Sequence, residues 1–198
     1  MLFRSAEGSL QVDADPQLWL EREVANIESK RIVSAETSRA GGETLKFARK
    51  DDKLALVDPA EHPPLDEYRV DDVARALEFL NLQDVQPDSA PVGEAVGQGV
   101  FATADGLTAT VRVFKGEKDI YARLSFSGAD AAKAEADKLN AKTAGWTYQL
   151  GAWKEKAFAP TLEGLKKSDP APQADPPPAG AAGGGAKRSE EHTSELQS

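Results

Sequence analysis

The sequence holds no cysteine, one methionine and two histidines in 198 residues. Without a thiol there is no disulfide scaffold, zinc ribbon, iron–sulfur ligation or thiolate nucleophile, although the redox compartment is not fixed by that absence. Two imidazoles leave little for a metal or for acid–base work. Long apolar runs are also missing. Nothing approaches the run of about 18 apolar residues that a spanning helix needs, and Met1-Leu2-Phe3-Arg4 does not open a basic segment with an apolar core. The chain as written therefore reads as soluble and without an export signal, and its opening resembles the interior of a strand-rich domain, as if Met1 were an internal codon. Positive charge is short as well. The 24 Lys and Arg face 33 Asp and Glu, giving a net charge of −9, so nucleic acid and anionic lipid are not expected partners. A mean hydropathy of −0.49 describes a surface-rich protein whose length allows one ordinary domain or two small ones.

What is present is periodic. Asp15-Pro16 ahead of Gln17-Leu18-Trp19-Leu20 predicts a short helix capped by Asp15, with Trp19 anchoring it on a sheet. Residues 31–38 read as a strand, Gly41-Gly42 as a turn, and Leu45, Phe47 and Arg49 alternate with Thr44, Lys46 and Ala48 as a second strand. Residues 50–53 make a polar turn into a third, at 54–57. After a loop holding Pro59, Pro63 and Pro64, the residues Val70, Val73, Leu77 and Leu80 fall on one helical face, with Asp71 and Asp72 in its first turn. The pattern then recurs. A strand at 99–103, an Asp105-Gly106 turn, an alternating Leu107, Ala109, Val111 and Val113, and a further strand from Ile120 to Phe126 precede a helix at 130–142. In that helix Ala132, Ala136 and Leu139 form the apolar stripe, and Gly145 stands where a helix stop is expected. Trp146, Tyr148 and Leu150 make a closing strand, and Phe158, Leu162 and Leu165 a last helix that Pro160 either kinks or restarts.

The predicted fold class is α+β, two similar units of antiparallel β-meander with helices packed on one face. The first unit covers residues 1–90 and the second 91–167. Residues 168–187 follow as a tail in which 15 of 20 residues are Pro, Ala or Gly, a composition expected to stay disordered. Residues 188–198, RSEEHTSELQS, match the translation of a common short-read sequencing adapter and are read as an artefact. With His192 set aside, His62 is the one histidine left.

Several segments carry a family resemblance: DPQLWLERE, ESKRIVSAETSRAGGETLKFAR, ALEFLNLQDVQP, ADGLTATVRVF and LNAKTAGWTYQLGAWKEKAFAPTLEGL. The most recognisable pieces are Trp19-Leu20, Leu82 with Asp84-Val85, Asp105-Gly106-Leu107, and Gly145-Trp146 with Tyr148 and Leu150. Across residues 8–167 the chain is similar to the bacterial family called domain of unknown function 4340. The resemblance implies an envelope protein with a repeated α+β extracytoplasmic region, periplasmic and anchored in the inner membrane when intact, although this chain lacks such an anchor. Some members resemble the auxiliary component of gliding-type ABC transport systems, which implies protein partners, ABC transporter components among them. The family has no established functional residues to carry over.

Candidate chemistry has to be weighed residue by residue. His62, in Glu61-His62-Pro63-Pro64, could be a general base or metal ligand, but no second imidazole or thiolate stands near, so a solvated loop histidine is the reading taken. The acidic pairs Asp13/Asp15, Asp51/Asp52 and Asp71/Asp72 suggest paired carboxylates or calcium. Adjacent residues on a strand diverge, however, and no calcium-loop pattern is present, so turn and cap chemistry is expected. Gly97-Gln98-Gly99-Val100-Phe101-Ala102 fits a dinucleotide fingerprint on paper but lacks the strand before it and the helix after it. Trp146 and Tyr148 could form a platform for a sugar, a peptide or a strand, or serve as core, and the core reading is taken. Trp153 is then the candidate partner-binding aromatic. No catalytic, metal-binding or cofactor-binding residue is predicted, and no cofactor. The expected function is a non-enzymatic envelope interaction module. The alternative is a small ligand-binding domain or hydrolase with carboxylates in a pocket between the two units.

Overall fold

The computed structural model describes residues 22–167. The short helix read at Asp15 with Trp19, the pair Asp13/Asp15, and residues 168–187 and 188–198 lie outside the described residues.

Strand formation follows the period-two pattern. β1 (Glu23–Ala25) is followed by β2 (Ile32–Arg39), β3 (Thr44–Lys50) and β4 (Lys53–Asp58), then α1 (Glu67–Ala74), β5 (Leu80–Asn81) and β6 (Asp84–Pro87). The long strands β7 (Glu94–Thr103), β8 (Leu107–Lys115) and β9 (Ile120–Gly128) precede α2 (Lys133–Thr143), β10 (Trp146–Leu150), α3 (Glu155–Phe158) and α4 (Leu162–Leu165). The architecture is α+β and mainly antiparallel. Among the described residues eight strands form one sheet in the order β4-β3-β2-β7-β8-β9-β10-β6, and β1 pairs with β5 beside it. Strands from residues 22–90 and from 91–167 thus share a single sheet, joined at β2–β7 and again at β10–β6.

One face of this sheet is buried. Phe47, Ala35, Phe101, Ala109 and Phe126 stand opposite one another across five strands, and each is buried. Side chains opposed in this way share a face, so the row is a continuous apolar stripe. Helices cover it. The Phe158 ring of α3 meets Phe101 edge-on at a centroid distance of 6.0 Å. Gly99 makes that approach possible, since a Cβ there would stand 2.9 Å from the Phe158 carbonyl oxygen. The Gly97–Ala102 pattern therefore lies inside strand β7, where its glycines serve close packing. The other end of the sheet is held by α2, whose Asn140 side chain bonds both the N–H and the C=O of Phe126, at 2.8 and 2.7 Å. Those groups need a partner because β10 runs beside β9 only as far as Ala122.

Several local expectations are corrected. α1 begins at Glu67, capped by the Asp66 carboxylate, which accepts from the Tyr68 N–H at 3.0 Å. Asp71 and Asp72 therefore fall in the second turn, and Asp71 pairs with Arg75 at 2.8 Å, an i,i+4 contact. The helix ends at Ala74, so Leu77 lies beyond it and Leu80 belongs to β5. Asp51 and Asp52, both at positive φ, form the two-residue turn between β3 and β4. The last helix is broken: α3 stops at Phe158, and Thr161 caps α4 by accepting from the Gly164 N–H at 2.9 Å. Pro160 sits in the gap, as a residue without an N–H should.

Candidate functional site

Strand β4 is one end of the sheet order, β6 being the other, and its free side opens on a cleft of about 860 Å³. Lys53, Leu54, Ala55 and Leu56 all line it. Consecutive strand residues point to opposite faces, so a cleft that touches four in a row runs along the strand's backbone edge. The opposite wall comes from α1 and the loop before it, with Leu65 and Val70 adding to the apolar floor and Tyr68, which is 85% exposed, on the rim. A backbone edge beside an apolar trough can accept an added strand, with main-chain hydrogen bonds giving affinity and alternate side chains entering the trough.

The carboxylates of the cleft are spoken for. Lys53 Nζ reaches the Glu67 carboxylate at 2.7 Å, linking β4 to the first turn of α1. That bond holds the Glu67 carboxyl below its ordinary range and lifts the Lys53 ammonium. Asp66 caps α1 and Asp71 pairs with Arg75. A general acid needs its proton held by burial or by a neighbouring carboxylate. Glu67 is moved the other way.

His62 is exposed on the same cleft, its Nδ1 2.9 Å from the Pro63 carbonyl oxygen. A carbonyl only accepts, so this contact puts a hydrogen on Nδ1. Among the described residues no group of three or more metal-ligating side chains converges, at His62 or elsewhere.

Trp153 lies apart from the cleft, in a 3-10 turn at Ala152–Lys154 that follows β10, and is 69% exposed. Trp146 and Tyr148 do not act together. Tyr148 is buried, with its hydroxyl donating to the Lys142 carbonyl at 3.2 Å, whereas Trp146 is 44% exposed opposite Pro87 on the outermost strand. The core reading holds for Tyr148 and is corrected for Trp146.

Lys154 was not singled out by its sequence. It is buried, its Nζ donates to the Ala76 carbonyl at 2.7 Å just past α1, and it lies 4.7 Å from the Trp153 ring centroid. Burial lowers its pKa to about 8, against the opposing pull of Asp72 and Glu78. The amine closes an open carbonyl at a helix end.

A second polar assembly sits at the tip of the β7–β8 turn. Arg31 forks onto both oxygens of Glu135 at 2.9 and 2.7 Å and reaches Asp105 at 2.6 Å. The fork ties the start of β2 to α2 and to the turn. Its two carboxylates are consumed by one guanidinium, which is structural use.

No family model, curated protein or solved structure matches the chain. The open edge of β4 was the feature sequence reading could least supply, because strand order decides which strand lacks a neighbour.

Proposed function

We propose that the protein is a non-enzymatic interaction module of the bacterial envelope that takes an extended segment of a protein partner against the free edge of β4. The observation that carries this reading is the cleft running along four consecutive β4 residues, apolar on its floor and charged on its rim. The neutralised carboxylates around it support binding over hydrolysis. The resemblance to the domain of unknown function 4340 family supports a periplasmic setting, an inner-membrane anchor in the intact protein, and a partner belonging to an ABC-type transport system. Trp153 is a separate exposed aromatic that a large partner would also cover.

Site-specific photo-crosslinking in bacteria tests the reading. A photoreactive side chain placed at Ala55, on the cleft, is expected to give one discrete adduct with an envelope protein, while the same group at Ser127, on the far side of the sheet, gives none. Equal adducts from both positions, or none from position 55, would remove the strand-addition reading. Recovery of the protein from the cytosolic fraction would remove the envelope setting.

A further inference from the structure

The face of the sheet turned away from the helices carries a charge that the fold leaves unmatched. Ser38, Gln98, Arg112 and Arg123 stand opposite one another on β2, β7, β8 and β9. Side chains so placed share a face, with Cβ atoms about 4.5–5.5 Å apart between direct neighbours. Two guanidinium groups are therefore set side by side, an arrangement that costs stability unless both are neutralised.

Only one of them is. Arg123 donates from Nε to the Thr147 hydroxyl at 2.8 Å, faces the Asp88 carboxylate at 3.3 Å, and lies 5.0 Å from the Phe114 ring centroid. Arg112 is exposed and makes no hydrogen bond or ion pair with any described residue. By contrast Arg31, Arg39, Arg49 and Arg75 each hold a carboxylate or a backbone carbonyl. An unmatched cation in a chain of net charge −9 is not there for want of carboxylates.

Arg112 also borders a depression of about 320 Å³. Its polar side is Ser38, Arg39, Gln98 and Arg112, with Arg39 already held by the Glu155 carboxylate and the Ala159 carbonyl, and its apolar side includes Ala40, Ala95 and Phe114. Ser38, Gln98 and Arg112 offer a hydroxyl, an amide NH₂ and a guanidinium fork, all able to donate. No carboxylate is among the described residues that line it. The depression lies where β2 meets β7 and β8.

We propose that this depression binds a carboxylate that carries an apolar group. Arg112 takes both carboxylate oxygens in its planar fork, Gln98 and Ser38 donate to their flanks, and the attached group lies against Phe114 and Ala95. Of the two guanidinium groups that line the depression, Arg39 is matched by Glu155, so Arg112 balances one negative charge, the acidic chain opposes a second, and a monoanion fits better than a phosphate dianion. A free organic acid and the terminal carboxylate of a polypeptide ending in an apolar residue share this chemistry. The site is on a different face and different strands from the β4 cleft, and neither reading depends on the other.

The test uses the full chain in nitrogen-resolved NMR, following the Arg112 Nε–H and the Gln98 side-chain amide. The probes are hydrocinnamate, its neutral amide, the dipeptide acetyl-alanyl-phenylalanine with a free carboxylate, the same dipeptide amidated, and inorganic phosphate. Saturable shifts of both signals are expected with the two carboxylates and not with the two amides. Arg112→Met should weaken binding about tenfold to a hundredfold, the loss of one charge-assisted fork, and Arg112→Lys should recover part of it. Tighter binding of hydrocinnamate assigns the site to free acids, and tighter binding of the dipeptide assigns it to chain ends. Shifts from the amides equal to those from the acids, phosphate binding as tightly as either carboxylate, or binding unaltered in Arg112→Met would each overturn the proposal.

Discussion

Leu77 shows what a single side chain contributes here. It is wholly buried just beyond α1, and its carbonyl accepts from the Ile27 N–H at 3.0 Å, joining the segment before β2 to the segment after the helix. Truncation to alanine removes apolar contact and leaves a cavity, and Leu77→Ala is expected to cost about 2–5 kcal/mol. Urea unfolding would show it as a lower midpoint at unchanged slope, whereas a loss under about 1 kcal/mol would mean that the site collapses around the gap. Burial of this leucine was legible from its spacing after Val70 and Val73, even though the helix stops short of it. Lys154 was not legible. A lysine between Trp153 and Glu155 reads as solvated, and what buries it is a carbonyl 78 positions away. Trp146 failed for a related reason: it has the parity of Tyr148 and Leu150, but its partner across the ladder is Pro87 at the sheet margin.

Elements were read well where their signal is local. The hairpins β3–β4 and β7–β8 follow from alternation and from turn residues, Asp51-Asp52 and Asp105-Gly106, that tolerate a left-handed backbone. The helices were read less well, because their ends are set by contacts with the sheet. α3 shows the dependence most directly. It packs on β7 only because Gly99 has no side chain, and Gly99→Ala would press a Cβ 2.7 Å from the Phe101 ring and 2.9 Å from the Phe158 carbonyl. The expected cost is about 1–3 kcal/mol from overpacking. Hydrogen exchange would locate it, with faster exchange in α3 and not in α2. Equal effects on both helices would show a global change instead.

For the whole molecule, the pH dependence of stability follows from groups whose titration differs between folded and unfolded chains. Lys154 has its pKa lowered from 10.5 to about 8, so between those values the unfolded chain binds more protons and stability rises with pH. Tyr148, raised above 10.0 first by burial and then by Asp88, works against stability once the pH passes that value. The window is therefore pH 8 to 10. Urea midpoints are expected to climb across it in the native chain and to stay level in Lys154→Met. A level profile in both would show that the buried amine does not titrate as its surroundings require. On the acid side Asp105, lowered by the Thr103 hydroxyl and by Arg31, contributes stability that is lost as the pH falls below 3.8.

Strand order was the part of the architecture least accessible to sequence reading, because nothing local to residues 84–87 says that they will lie beside residues 146–149. The Thr147–Asp88 bond spans 59 positions and the Arg31–Glu135 fork spans 104. That interlock bears on how the protein is made. A ribosome delivers β2 well before β7 and β6 well before β10, so β2 must wait with one backbone edge unclaimed and β6 with both while synthesis proceeds. The newborn chain passes through a period in which it offers strand edges that pairing later covers, and its need for protection against self-association is greatest before β10 emerges.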